Sequence, residues 1–465
     1  MEQILIPFLL LHILTLLEAA QSPPPPPSSP SPPPPIYTPF DDITIACGNF
    51  GQHLSNSDSR TWSGDINSTL FSPIQDGDSN ATSQFRKAPP SLSASASQVP
   101  YTTARLSYSE FTYRIPISPG KKFVRFHFNP ASYLDFHSSN ALFSVTADDY
   151  ALLTDFRAST LLMREFCVAL DTKHSLNITF TPSKDAYAFI NGIEIVSMPT
   201  NLYTTSVRSI GSDTPYSVDS TKALDMVYRI NIGGQPINAT GDTRMYRKWD
   251  SADDMYLDGL SKKFSVVTEN NTLELNFVEI PEYTAPKEVY RTGRSMGMNK
   301  TINTSYNLTW AFPVDSDFSY LVRLHFCEFD SDITKSGERT FVIYIANQTA
   351  EPGADIIQWS GGNGIPVYRD YIVLMPGPRS QKKVNLSISF RVDWLTEYED
   401  AMLNGLEIFK LIDPKGQIGS NPDPKMTPHS TSTRVLAQST RVIALIVAGC
   451  SFRHTCVLCP RILGF

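Results

Sequence analysis

The chain lacks a cysteine framework. Six cysteines are spread over 465 residues, and three of them, Cys450, Cys456 and Cys459, crowd into the tail. Cys47, Cys167 and Cys327 cannot all pair with one another, and only a Cys47–Cys167 bond is geometrically open. Cys456 and Cys459 make a lone CxxC without a second pair, too little for a zinc or redox site. Charge is sparse as well: Asp, Glu, Lys and Arg make up 18% of the residues, with a net charge of −7. No basic field exists to attract phosphates, which argues against nucleic acid as a partner. The sequence has no GxSxG, HExxH or phosphate-binding loop, and no Gly-rich kinase loop, VAIK, HRD or DFG. No enzyme activity, catalytic residue, metal or cofactor is therefore expected. Long runs of helical period are also missing.

Two apolar runs are short. Ile4 to Leu17 is uncharged, below the ~20 residues that cross a bilayer and suited to a signal peptide over 1–21. Val442 to Phe452 follows a Pro, Gly, Ser and Thr stretch, and Arg453 and His454 then interrupt it. Arg near a helix centre costs about 2.5–3.5 kcal/mol on insertion, so a stable span over 441–465 is not expected. Residues 22–35 are only Pro and Ser and predict an extended spacer.

What the chain does have is the same text written twice. KKFVRFHF at 121–128 returns as FSYLVRLHF at 318–326, and YAFINGIEI at 187–195 as AMLNGLEI at 401–408. FTYRIPI at 111–117 matches LTWAFPV at 308–314, and Arg60-Thr61-Trp62 matches Arg247-Lys248-Trp249. The order is kept throughout, so a whole domain is duplicated; the period is far longer than that of a solenoid repeat. The domains are placed at 36–200 and 223–412, with a polar linker at 201–222 and a stalk at 413–440.

Alternation fixes the class. Val124, Phe126 and Phe128 share one face with Arg125 and His127 on the other, and Val322, Leu324 and Phe326 repeat that phase against Arg323 and His325. Asn191-Gly192 and Asn404-Gly405 lie between apolar runs and predict tight hairpins with Asn at positive φ. Short strands with frequent Pro and Gly predict an all-β fold of two tandem jelly-roll β-sandwiches. A helical turn is expected near Asp250–Tyr256. The paired Arg–His and Asn-Gly positions are expected to be scaffold, because both copies keep them. The acidic pairs Asp148-Asp149 and Asp253-Asp254 are expected on solvated loops rather than as glycosidase carboxylates.

Ten Asn-x-Ser/Thr sequons indicate secretion: Asn67, Asn80, Asn177, Asn238, Asn270, Asn299, Asn303, Asn307, Asn347 and Asn385. Around Asn177, Asn307 and Asn385 the apolar residues alternate with the sequon, which turns each Asn away from the core face. A sugar-binding face would need exposed aromatics, and Tyr101, Tyr133, Tyr150 and Tyr187 are the candidate ligand contacts. An acidic polysaccharide such as pectin would need a basic patch, for which Lys121, Lys122 and Arg125, or Lys382 and Lys383, are available.

The segments PYTTARLSYSEFTY at 100–113, NALFSVTADDYALL at 140–153, NITFTPSKDAYAFINGIEIVSMP at 177–199, YRINIGGQPI at 228–237, NQTAEPGADIIQW at 347–359 and LNGLEIFK at 403–410 resemble the plant malectin-like receptor kinases, Feronia type. The resemblance covers about 36–412. It implies two malectin-like domains in an extracellular ectodomain, secreted or at the cell surface. In that family such an ectodomain is associated with secreted rapid-alkalinisation-factor peptides, GPI-anchored co-receptors of the Lorelei type, and pectin. The family's kinase is absent from this sequence. The expectation is therefore a peptide-recognition ectodomain; a cell-wall carbohydrate module and a soluble decoy are the alternatives. A truncated gene product, a splice form and a genuine secreted form all remain open.

Overall fold

The computed structural model describes residues 37–413 apart from 70–72, 75–82, 90–97, 204–205, 213, 219–220 and 378–381. The expected signal peptide, Pro/Ser spacer, stalk beyond Asp413 and apolar tail, together with Asn80 and the three tail cysteines, lie outside the described residues. Residues 1–38 and 39–465 form two units, and the described strands and helices all belong to the second.

The expected pair of jelly-roll sandwiches is present, and the eight sandwich strands of copy one recur in copy two. In copy one the front sheet holds Asp42–Phe50, Gly192–Ser197, Gly120–Phe128 and Leu162–Leu170, in that order. The back sheet holds Phe111–Pro116, Ser175–Pro182, Phe143–Ala147 and Tyr150–Phe156. Copy two repeats this with Ala223–Asn231, Gly405–Ile412, Phe318–Phe326 and Val367–Met375 in front. Behind them lie Leu308–Asp315, Lys383–Val392, Phe341–Ile345 and Gln348–Ala354. The predicted alternation sets the core. Val124, Phe126 and Phe128 pack with Phe143, Phe166, Phe180 and Phe189 in copy one. Val322, Leu324 and Phe326 pack with Trp310, Phe341 and Phe390 in copy two. Each such side chain withdrawn from water contributes about 1.5–3 kcal/mol.

The two copies are not beads on a string. Leu162–Leu170 of copy one pairs antiparallel with Ala223–Asn231 of copy two, so one twelve-stranded sheet runs through both. Part of the expected linker stretch joins that sheet. Ser206–Ser209 pairs parallel with Val367–Met375, Tyr216–Ser217 pairs outside it at the far edge, and Leu202, Tyr203, Val207, Ile210 and Val218 are buried. The helical turn expected near Asp250–Tyr256 is a 3-10 turn at Asp253–Met255.

The Asn-Gly hairpins are also corrected. Neither Asn191 nor Asn404 has positive φ, and both are wholly buried. Each sits where the chain leaves a small third sheet for the large front one: Ala188–Ile190 pairs with Thr103–Ser107, whereas Gly192–Ser197 pairs with Gly120–Phe128. At this crossing the Asn amide replaces the interrupted ladder. Asn191 Nδ2 donates to the Thr103 carbonyl at 2.7 Å and its Oδ1 accepts from Asn129 N at 2.7 Å. Asn404 Nδ2 donates to the Thr292 carbonyl at 2.8 Å and its Oδ1 accepts from Cys327 N at 2.8 Å. The glycine serves packing. A Cβ on Gly192 would lie 2.5 Å from Pro100 and 2.8 Å from Trp62, and one on Gly405 would lie 2.5 Å from Val289. The tight turn with positive φ is elsewhere, at Ala346-Asn347, joining Phe341–Ile345 to Gln348–Ala354.

Gly192→Ala and Gly405→Ala should therefore each destabilise the fold by about 1–3 kcal/mol through overpacking. Urea unfolding reads this as a lower midpoint at unchanged slope; an unchanged or raised midpoint contradicts the packing account.

Candidate binding surface

The polar face of each central strand is not exposed; it is sealed. Arg125, His127, Arg323 and His325 are all buried. His127 Nε2 lies 2.6 Å from Glu194 Oε1, and the Tyr101 hydroxyl lies 2.8 Å from Nδ1. In copy two His325 Nε2 lies 3.2 Å from Glu407 Oε1, with the Tyr290 hydroxyl 3.0 Å from Nδ1. The pattern assigns a neutral imidazole that donates from Nε2 and accepts from tyrosine at Nδ1. Burial pushes both histidines down in pKa, more than the neighbouring glutamates raise them.

These two triads are the ends of one chain of contacts. Glu194 Oε2 accepts from Arg60 at 2.6 Å and from Arg125 at 3.2 Å. Arg125 Nε donates to Glu165 at 2.6 Å, and the other oxygen of Glu165 lies 2.8 Å from Arg229 of copy two. Arg229 Nε donates to Glu407 at 2.7 Å, and Glu407 also accepts from the Tyr203 hydroxyl at 2.7 Å. Arg125 further donates to the Met245 carbonyl at 2.7 Å. Burial would raise the Glu165 carboxyl, but Arg229 and Arg125 outweigh it and hold it below the ordinary value. The Arg partners likewise hold Glu194 and Glu407 well down. With no open face, this chain orients the two copies and cannot meet a substrate.

Among the exposed large apolar side chains, one group lies at an end of copy two. Met298 is 97% exposed, Trp394 71% and Leu395 74%. Val266, on the edge strand Val266–Glu269, pairs with Ser295 and would touch a Cβ on Gly297 at 3.4 Å, so it borders Met298. Asn303 Nδ2 donates to the carbonyls of Gly297 at 2.6 Å and Glu399 at 2.9 Å, tying the Met298 loop to the segment that carries Trp394. A cavity of about 490 Å³ beside Trp394 is lined by Thr304, Val342, Arg391, Val392 and Asp393. Apolar side chains on loops held by a rigid sandwich suit the binding of a protein or peptide. Sequence reasoning missed this rim because loops carry no period; Trp394-Leu395 within an acidic stretch was the one available signal.

A family model for the malectin-like domain matches residues 45–411. The chain belongs to the malectin-like family. It is 38% identical to the receptor-like protein kinase FERONIA of Arabidopsis thaliana over 450 residues, covering 90% of this chain and 49% of that protein. It is 36% identical to ANXUR1 of the same plant over 402 residues, covering 82% and 45%. The chain thus spans about half the length of these relatives. A crystal structure of FER aligns with a TM-score of 0.72 at 38% identity, over 83% of this chain and all of that one. A crystal structure of the plant peptide RALF23 in complex with FER and LLG2 aligns with a TM-score of 0.71 at 38% identity and the same coverage.

Within this malectin-like frame several expected site residues move inside. Tyr133, Tyr150 and Tyr187 are buried in the core of copy one, and the half-buried Tyr101 is taken up by His127. None offers a face for sugar stacking: Tyr150 on its strand and Tyr133 and Tyr187 in loops are taken up by the core, and Tyr101 by its contact with His127. Of the basic patch, Lys122 and Arg125 are buried in ion pairs, while Lys121 is partly buried and donates to the Tyr203 carbonyl. Lys382 and Lys383 stay exposed, the latter 2.7 Å from Asp315. Cys47, Cys167 and Cys327 are buried free thiols, so the Cys47–Cys167 bond is not formed; burial pushes all three up in pKa. The pair Asp148-Asp149 lies at a hairpin tip beside Lys173; Asp149 is solvated as expected, whereas the Asp148 side chain is turned in and accepts from Asn177 Nδ2 at 2.9 Å. Asp253 departs from expectation: it is buried against Arg294 at 2.6 Å. Of the described sequons, Asn67, Asn177, Asn238, Asn299, Asn307, Asn347 and Asn385 are exposed and Asn270 is half-buried. Asn303 is wholly buried with its amide engaged, which removes it as an acceptor in the folded chain. Among the described residues no cluster is arranged to hold a metal, and no helix is long and apolar enough to cross a membrane.

Stability should fall in acid, in two stages. The folded pKa of His127 and His325 lies below the unfolded value of about 6.5, so the unfolded chain takes up protons first and stability declines below about pH 6.5. Glu165, Glu194 and Glu407, held below about 4.5, add a steeper loss as pH falls through that value. Asp65, Glu328 and Asp400, pushed up by burial, oppose the second stage. Urea midpoints at about pH 7.5, 6 and 5 should drop in order, with His127→Gln flattening the first step. A midpoint constant or rising from pH 7.5 to 6 contradicts this.

Proposed function

We propose that this chain is the extracellular recognition ectodomain of a Feronia-like plant receptor kinase. It binds a secreted basic signalling peptide of the rapid-alkalinisation-factor type together with a GPI-anchored co-receptor, in the apoplast or at the plasma membrane. The observation that carries the reading is the exposed apolar rim of copy two, on a scaffold that aligns over 83% of this chain with the crystal structure of RALF23 in complex with FER and LLG2. The net charge of −7 complements a basic ligand and speeds its encounter. The sealed ionic interior supports binding over catalysis, because no titratable cluster there is open to a substrate.

A pectin-binding module ranks second. Its first basic patch is spent inside the fold, which leaves Lys382 and Lys383 at the surface. A soluble decoy uses the same surface as the receptor reading and differs only in where the protein resides.

Titration calorimetry of the purified chain with a basic rapid-alkalinisation peptide, with and without the co-receptor, tests the proposal. A complex is expected that the double substitution Trp394→Ala and Leu395→Ser weakens by about tenfold or more, the scale of a buried anchor. Absence of heat in both mixtures, or a complex indifferent to the double substitution, contradicts it.

A further inference from the structure

A contact that joins a domain to its own duplicate head to tail is open-ended: one acceptor edge and one donor strand remain unused. Here the outer edge of Leu162–Leu170 accepts Ala223–Asn231, with Phe166 opposite Asp225 and Cys167 opposite Leu224. Both halves of this contact recur in the chain.

On the acceptor side, Phe166 and Cys167 pair inwards with Val124 and Phe123, and Tyr371 and Ile372 pair inwards with Val322 and Leu321. The repeated strand superposes Val124 on Val322, so Tyr371 and Ile372 are the counterparts of the docking pair. On the donor side, Asp225 and Leu224 lie opposite Lys410 and Leu411. Counted from Gly192 and Gly405, these match Ser197 and Met198, and Ser197 N donates to the Asp41 carbonyl at 2.8 Å. Asp41 and Phe40 are thus the counterparts of Asp225 and Leu224. Leu224 is buried at the junction, whereas Phe40 is 86% exposed.

The second acceptor edge is covered by the chain itself. Arg208 lies opposite Tyr371 and Ser209 opposite Ile372, in parallel pairing. The connecting strand Ser206–Ser209 therefore occupies the two positions whose counterparts dock copy two. Its hold combines a short ladder with buried side chains. Ile210 N donates to the Ile372 carbonyl at 2.8 Å, Arg208 donates to the Ala350 carbonyl at 3.0 Å, and Tyr216–Ser217 pairs on its outer side. Val207 and Ile210 are buried, Ile210 within the core of copy two, while the half-exposed Arg208–Glu351 pair adds little. The side-chain hydroxyls of Ser209 and Tyr371 are buried without a hydrogen-bond partner among the described residues.

We propose that Ser206–Ser209 is an edge plug, and that the surface it covers fits a second copy of this chain. When the plug is displaced, Phe40-Asp41 of a second molecule docks antiparallel on Tyr371-Ile372. The ionic clasp of the junction is not repeated there. Thr44 stands in the register position of Arg229, and Asp370, the counterpart of Glu165, is already held by two bonds of 2.7 Å from Arg323. Association rests on strand pairing and Phe40 alone, and the plug keeps chains apart, a common protection of free sheet edges.

Sedimentation velocity across a range of concentrations tests this with two plug variants, Ile210→Pro and replacement of residues 206–209 by Gly-Ser-Gly-Ser, each with and without Phe40→Asp. The intact chain is expected to stay monomeric. Both plug variants should associate as concentration rises, and Phe40→Asp should return them to monomer. Amide exchange at Ile372, with the copy-one core still protected, reports that the edge has opened in a folded chain. Opened variants that remain monomeric overturn the proposal. So does association that survives Phe40→Asp, and so does an edge that stays protected in both variants.

Discussion

The arrangement of this molecule depends on one buried carboxylate, Glu165, held between an arginine of each copy. The strand ladder at the junction is short, with two residues paired on each side, too little to fix two sandwiches by itself. Around it run alternating charges from Glu194 through Arg125, Glu165 and Arg229 to Glu407, closed at each end by a neutral imidazole, His127 and His325. Each is out of water, so each is tolerable only with its neighbours in place; removing one member of such a buried set costs about 3–5 kcal/mol. The same cost fixes the relative placement of the copies, because any rotation at the junction strands a charge.

A rigid double scaffold explains where recognition resides. Both copies spend their repeated polar residues inward: the histidines on glutamates, the asparagines on broken ladders, and Asp65 and Asp253 on Arg105 and Arg294. The surface that distinguishes the molecule is left to unrepeated loops, above all Met298 and Trp394-Leu395.

Much of the fold was legible because duplication and period two act on strong residues. Val124, Phe126 and Phe128 declared a strand and its buried face, and the order of the repeats declared two sandwiches. The failures have physical causes. Asn-Gly reads as a turn because Asn tolerates positive φ, yet Asn191 and Asn404 are used for their amides and Gly192 and Gly405 for their missing Cβ. Alternation says which residues share a face but not whether the second face meets water, so Arg125 was offered with Lys121 and Lys122 as a surface basic patch even though the repeated Arg–His pairs read as scaffold. Tyr133, Tyr150 and Tyr187 were offered as sugar platforms, although all three pack into the core of copy one, two of them from loops that cover it. The match of Tyr101-Thr102-Thr103-Ala104-Arg105 to Tyr290-Arg291-Thr292-Gly293-Arg294 carried the tyrosine–histidine pairs and was available in the sequence. The junction itself was not, since Glu165 and Arg229 sit on unrelated segments that only the tertiary fold brings together.

Scanning calorimetry of the intact chain and of Glu165→Gln tests the central claim most directly. If the buried chain of charges makes the two sandwiches one cooperative unit, the intact protein melts in a single transition whose calorimetric and van't Hoff enthalpies agree, and Glu165→Gln splits it into two. Two transitions in the intact protein, or a single transition at an unchanged temperature in Glu165→Gln, would contradict the account.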